Sequence, residues 1–294
     1  MWNRIVEQIS QVTGQPFHAT DQRSVGGGSI NQAYLLIDGD RAAAGHPNSA
    51  YFVKLNAAST LSMFEAEALG LREIARTQTI RVPQPICWGT EENQAYLVLE
   101  RLEMGYGSSE SWQEMGRQLA ALHRVTSDRG FGWNQSNTIG ATPQINTWTE
   151  TWTDFFISHR LRYQFQLARR RGGHFPQEER LLAVIPEILA DHHPAPSLVH
   201  GDLWSGNAAV TKQGEPVILD PAVYYGDREV DLAMTELFGG FPQDFYRAYD
   251  AAFPLEPGYK RRKTLYNLYH IVNHFNLFGG SYESQANRMI ASLL

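Results

Sequence analysis

His200-Gly201-Asp202-Leu203-Trp204-Ser205-Gly206-Asn207, with Val217-Ile218-Leu219-Asp220 downstream, is the stretch on which the reading of this chain turns. Apolar Ser197-Leu198-Val199 leads into it. Asp202 can accept a proton from, or orient, a substrate hydroxyl. Asn207 lies five positions later, in a D-x-x-x-x-N arrangement. Asn207 and Asp220 supply hard oxygen ligands suited to Mg²⁺ held between protein and phosphates. A lone His-x-Asp tripeptide is common by chance. The full spacing, with an apolar run ahead of each aspartate, is far more specific and points to ATP-dependent phosphorylation of a hydroxyl group.

Such chemistry needs positioning and charge neutralisation more than covalent help, and three upstream segments can supply them. Ser24-Val25-Gly26-Gly27-Gly28-Ser29-Ile30-Asn31 precedes a pair of strand-like runs. Its three glycines let backbone N–H groups approach phosphates without Cβ obstruction. It is not a Walker A loop, because no Gly-Lys-Ser/Thr follows, and alone it also reads as a flexible turn. Lys54 follows Tyr51-Phe52-Val53 in a strand, a place suited to a phosphate-binding lysine that needs an anionic partner. Glu67 shares the apolar helical face of Phe64, Leu71 and Ile74, whereas Glu65 projects away, so Glu67 is the expected partner. Without Asp202 and Asp220 the same pair would read as an exposed strand lysine beside a solvated helix. Backbone groups near Glu100-Arg101-Leu102, after the last strand of this part, can meet an adenine edge.

The pattern gives an α+β chain in two parts. Residues 1–102 form a small lobe for the nucleotide, and residues 103–294 a larger, mainly helical lobe for the catalytic loop, metal ligands and substrate. Met1–Ile9 reads as an amphipathic helix. Ala33–Ile37, Tyr51–Leu55 and Ala95–Glu100 read as antiparallel strands. Asp38-Gly39-Asp40 carries turn chemistry. The segment Leu61–Ala75 has helical period, with Ser59 or Thr60 as its cap. Further helices are expected over Trp112–Val125, within Asn146–Arg171, and over Glu178–Leu189, Val230–Phe238, Asp244–Ala252 and Tyr259–Phe278. A ligand cleft between the lobes follows.

Composition sets bounds on this. The chain has 294 residues, 43% of them apolar, and a formal charge of −6, which leaves no electrostatic footprint for nucleic acid. No apolar run reaches membrane-spanning length, and the N-terminal segment lacks a signal-peptide core, so a cytoplasmic protein without a membrane partner is the expectation. The single cysteine, Cys87, excludes an internal disulfide framework.

These residues resemble the protein-kinase-like phosphotransferases, a group that includes aminoglycoside phosphotransferases and choline kinases and writes the catalytic loop H-G-D. The likeness narrows with Gly26–Asn31, Phe64-Glu65-Ala66-Glu67, Pro143-Gln144-Ile145-Asn146, His200–Asn207, Asp220–Ala233 and Leu268–Gly279, which resemble the fructosamine kinase family over nearly the whole chain. The resemblance implies a protein-kinase-like bilobal fold, with ATP and Mg²⁺ as cofactors. It implies phosphorylation of the sugar 3-hydroxyl of ketoamines, small or protein-bound, after which the adduct becomes unstable and the amine is released. It also implies that Trp204 presents an aromatic face to the sugar, with Asn273 and His274 on a helix near the substrate. Core packing for Trp204 and satisfied core positions for His270 and His274 are the alternatives. Many members carry cysteine where Ser29 stands, and serine cannot form the intersubunit disulfide, so no disulfide-linked dimer is expected. Asp231 reads as a group bonded to the catalytic-loop backbone rather than a third metal ligand. Two other functions stay open: a kinase of a different small hydroxyl substrate, such as an aminoglycoside, choline or a sugar, and a non-catalytic nucleotide-binding pseudokinase.

Overall fold

Alternation along one strand organises the first part of the molecule. The computed structural model describes residues 1–26, 30–46 and 49–294. In β3 (Ala50–Ala57), Tyr51, Val53 and Leu55 point to one face, and Phe52 and Lys54 to the other, as the two-residue period of a strand requires. The strand is central in a five-stranded antiparallel sheet with β1 (Asp21–Val25), β2 (Gln32–Ile37), β4 (Pro85–Glu91) and β5 (Gln94–Glu100), in the order β1-β2-β3-β5-β4. The Tyr51 face packs on α1 (Trp2–Thr13) through Ile5 and Ile9, one helical turn apart. Gly14 closes α1 in the left-handed conformation.

The opposite face is covered by α3 (Leu61–Thr77), which buries Phe64, Leu71 and Ile74 against the sheet and into the main core. Thr60 stands at its N-cap position, but its hydroxyl donates back to Ala57 O at 2.8 Å and caps no helical amide. The Asp38 segment, expected as a turn, instead starts a short helix, α2 (Gly39–Ala43). The Asp38 carboxylate accepts from Arg41 N at 3.0 Å and from His18 N at 2.9 Å, which satisfies an orphan helix amide and tethers the preceding loop.

The rest of the chain is built around α10 (Tyr259–Phe278), a helix buried on nearly every side. Packed about it are α6 (Arg162–Arg170), α8 (Glu229–Thr235) and α11 (Tyr282–Leu293), with α7 (Glu178–Ile188) against α11. A second layer pairs α4 (Ser109–Leu122) with α9 (Gln243–Ala252). The expected helix within Asn146–Arg171 begins only at α5 (Trp152–Phe155) and reaches α6 through a π-helical turn over Phe156–Leu161. Residues before it belong to a hairpin of β6 (Asn137–Ile139) and β7 (Thr142–Gln144). The helix expected to run to Phe238 stops at Thr235.

Two more short ladders carry the chemistry-bearing loops: β8 (Ser197–Val199) with β11 (Tyr224–Gly226), and β9 (Ala208–Val210) with β10 (Pro216–Ile218). Asp202 and Asn207 lie between β8 and β9, and Asp220 lies between β10 and β11. One hairpin, β9–β10, enclosed by the β8–β11 pair, therefore brings together groups separated by 18 positions or fewer in sequence. Among the described residues, no helix is long and apolar enough to cross a membrane.

Candidate active site

Lys54 leaves β3 on the α3 face and is buried to 6% exposure. Its Nζ donates to Glu67 Oε1 at 2.7 Å and to Asp220 Oδ1 at 2.7 Å. Burial alone would drain charge from the ammonium, but the Asp220 and Glu67 carboxylates outweigh it and hold Lys54 above its usual range. Burial raises the Glu67 carboxyl against the opposing pull of Lys54. The lysine thus links the sheet, α3 and the segment after β10. Glu65 is exposed.

The catalytic-loop segment is fixed from below. Asp231, at the start of α8, accepts from the amides of His200 at 2.7 Å and Gly201 at 2.8 Å, and its Oδ2 also meets His123 Nε2 at 3.1 Å. It is a backbone anchor, as its sequence position suggested. His200 Nε2 donates to Leu219 O at 2.8 Å while Nδ1 accepts from Asp202 N at 3.2 Å, so the neutral ring with its proton on Nε2 ties the loop to the strand before Asp220. Gly201 has φ +84°, and a Cβ there would stand 2.2 Å from Ala222 O, which explains why glycine follows the histidine.

Above this support, Asn207 Nδ2 donates to Asp202 O at 2.9 Å and approaches Asp202 Oδ2 at 3.3 Å. Burial, together with the nearby Asp220 and Asp231 carboxylates, pushes the Asp202 carboxyl up to about 7. Such a group is poised to exchange a proton near neutrality.

These side chains border a cavity of about 750 Å³ between the sheet and the helical part. Gly26, Ile30, Asn31, Lys54, Glu67, Glu100, Leu102, Asp202, Trp204, Asn207 and Asp220 all line it, a roll that covers most of the sequence-based candidates. Gly27, Gly28 and Ser29 lie outside the described residues. Asn56 Nδ2 pins the exit of the glycine segment, bonding Ile30 O at 3.2 Å and Asn31 Oδ1 at 2.8 Å. The Glu100 amide is already donated to Gln84 O at 2.8 Å, whereas among the described residues Leu102 N and O take no partner. Trp204 is 38% exposed, lies over Gly206 and meets Phe238 edge-on with centroids 6.4 Å apart.

Asn273 and His274 do not border this cavity. Asn273 is buried and its Oδ1 accepts from Gln164 Nε2 at 3.2 Å. The His274 Nδ1 bonds His270 O at 2.8 Å, and its ring sits among Phe238, Phe278 and Tyr282. Sequence reasoning missed Asn137, Thr138 and Gly140, which line the cavity from the β6–β7 hairpin.

The fructosamine kinase family model matches residues 1–294. The chain belongs to the fructosamine kinase family. A Synechocystis protein assigned as a ketoamine kinase is 58% identical over 293 residues, covering 100% of this chain and 97% of the relative. A chloroplastic protein-ribulosamine 3-kinase of Arabidopsis thaliana is 42% identical over 286 residues, 96% of this chain and 85% of its own. A crystal structure assigned as a fructosamine-3-kinase from Haemophilus somnus superposes with a TM-score of 0.92 at 30% identity, covering 100% of this chain and 98% of that one. The architecture is accordingly the protein-kinase-like one, and this kinase is an ATP-dependent phosphotransferase with ATP as co-substrate.

The donor set suits a hard divalent cation. Asn207 uses Nδ2 and Asp220 uses Oδ1 in the contacts above, and among the described residues Asn207 Oδ1 and Asp220 Oδ2 accept no hydrogen bond. Two unpaired oxygens bordering the cavity, one neutral and one anionic, are what such an ion takes from protein when phosphates complete its shell.

Proposed function

We propose that this kinase transfers the γ-phosphoryl group of ATP to the sugar 3-hydroxyl of ketoamines, fructosamines or ribulosamines, in repair of glycated amines. The observation that carries it is the convergence of Lys54, Asp202, Asn207 and Asp220 on one cavity in a chain of this family. Residues 1–102 hold the nucleotide, with Gly26–Asn31 over the phosphates, Lys54 on their charge and the Leu102 backbone at the adenine edge. Residues 103–294 hold the acceptor. Asn207 and Asp220 would hold Mg²⁺, which when bound neutralises charge on the transferring phosphoryl group. Asp202 orients the acceptor hydroxyl and takes its proton, a role that its raised carboxyl suits. Trp204 offers the exposed part of its indole to the sugar. On this reading the kinase works in the cytoplasm.

Incubation of the purified chain with ATP, Mg²⁺ and a panel of ribulosamines, fructosamines, choline and aminoglycosides tests this. Phosphate on the sugar 3-oxygen, read by ³¹P and ¹³C NMR, is the expected product. Folded protein that phosphorylates no ketoamine overturns the reading, and faster turnover on another acceptor reassigns the substrate.

A further inference from the structure

The segment after Asp220 presents a problem of backbone accounting. Asp220 has φ +53°, in the left-handed region that side-chain-bearing residues seldom occupy. The flanking chain must therefore be held on both sides. Before it, Leu219 N donates to Asn207 O at 2.9 Å and Leu219 O accepts from His200. After it, Ala222 N donates to His200 O at 2.8 Å. The carbonyls of Ala222 and Val223 remain, in residues that are 3% and 0% exposed, ahead of the point where β11 begins to pair with β8. Buried carbonyls need donors.

Two side-chain amides from the β6–β7 hairpin meet that need. Gln144 Nε2 donates to Ala222 O at 3.0 Å, and Asn137 Nδ2 donates to Val223 O at 2.9 Å. Each is itself oriented. The Asn137 Oδ1 accepts from Gln144 Nε2 at 2.9 Å and from Asn146 Nδ2 at 2.8 Å, while Gln144 Oε1 accepts from Tyr269 OH at 2.7 Å. Asn146 Oδ1 in turn accepts from the buried Arg160 guanidinium at 2.8 Å. The tip of the same hairpin reaches the glycine-loop side: at Gly140, with φ +59°, a Cβ would stand 3.1 Å from Ile30 Cδ1.

We propose that Asn137 and Gln144 are positioning residues for Asp220, setting the aim of its carboxylate through the Ala222 and Val223 carbonyls, so that the hairpin governs how well the site holds a divalent cation with its nucleotide. This rests on the nucleotide and metal roles proposed above. Every polar atom of the two side chains has a partner within the protein, and each amide nitrogen is bonded to the backbone that follows Asp220. Partners that fix metal-bearing residues are commonly worth about 10–100-fold in metal affinity or activity.

Calorimetric titration of ADP into the full chain, with and without Mg²⁺, tests the proposal. The Mg²⁺-dependent gain in ADP affinity is expected to fall about tenfold in Asn137→Ala and Gln144→Ala, with metal-free ADP affinity unchanged in Gln144→Ala, whose side chain does not border the cavity. Tyr269→Phe, which keeps both amides and removes only the hydroxyl orienting Gln144, should lose part of that gain. Folded Asn137→Ala and Gln144→Ala proteins with the wild-type gain overturn the proposal. Should those two fail to fold, an unaltered gain in Tyr269→Phe overturns it. A wild-type chain with no Mg²⁺-dependent gain overturns the site assignment beneath it as well, which separates the two failures.

Discussion

Two charged clusters, each largely buried with one exposed carboxylate, sit in this molecule, built from similar residues and doing different work. One joins Lys54, Glu67, Asp220 and Asp202. The other, below α8, joins His192, Asp227, Glu229, Glu256, Arg262 and Tyr266. In the second, ligand atoms of His192, Asp227 and Glu229 lie within 4.8 Å of one another, close enough to suggest a metal site. Each of them is already partnered. His192 bonds Asp227 at 2.7 Å and Glu256 at 2.8 Å, Tyr266 donates to Asp227 at 2.6 Å, and Arg262 grips Glu229 with bonds of 2.7 and 2.8 Å. The first cluster ends at a cavity with acceptor oxygens left over. Residue type therefore does not mark a site here; unspent hydrogen-bonding capacity beside open space does.

The sharpest way to break that contrast is Asp202→Asn. Activity should fall by about 10²–10⁴-fold, the range for loss of a positioned base. Stability should move the other way. The Asp202 carboxyl goes from an ordinary 3.8 to about 7 on folding. Ionisation of the unfolded chain through that interval therefore costs the wild type stability that the asparagine variant keeps. Melting of the ligand-free proteins should show equal stability near the low end of the interval. By neutral pH the variant should lead by about 1–3 kcal/mol, discounted for partial solvent contact. Coincident melting curves at neutral pH would remove the raised carboxyl from the account.

Arg262→Met probes the closed cluster. It strands Glu229 without its fork in the interior, a loss in the range of about 3–5 kcal/mol for a broken buried pair. Chemical denaturation should report it as a lower midpoint, while kcat per folded molecule stays at the wild-type value. A selective loss of kcat at unchanged stability would mean that the second cluster serves the reaction after all.

These two clusters also divide what could be seen in the sequence. The open one is written in short spacings, Asp202 to Asn207 and an apolar run before Asp220, because one loop and one strand end must present those groups together. Lys54 with Glu67 was legible from a strand period and a helix period meeting at one pair. The closed cluster spans His192 to Tyr266, joining α8 and α10 to three separate loops, and no local pattern encodes it. The β6–β7 hairpin escaped for another reason. Its strands have three residues each, below the length at which alternation can be read, although Gly140 between two threonine-bearing runs was a turn signal. Asn273 and His274 were named by resemblance alone, without a local pattern behind them, and they lie on α10, none of whose residues borders the cavity.

The smallest expected effect belongs to His192, and it separates a structural histidine from a metal ligand. Burial alone would make the ring neutral, but Asp227 and Glu256 outweigh it and raise His192 above the usual 6.5. A raised histidine contributes stability that is fully present below its unfolded pKa and is lost as pH rises through the higher folded value. In an Asp202→Asn background, where that carboxyl no longer titrates, the melting temperature should therefore fall as pH rises above the ordinary histidine value of 6.5. His192→Gln should flatten this slope, because glutamine can donate to one of the two carboxylates but carries no titratable proton. Added Zn²⁺ should not restore stability at the alkaline end, since a cation would have to displace both the His192 proton and the Arg262 fork. A Zn²⁺-dependent rise in melting temperature that disappears in His192→Gln would reverse the assignment and make the closed cluster a metal site.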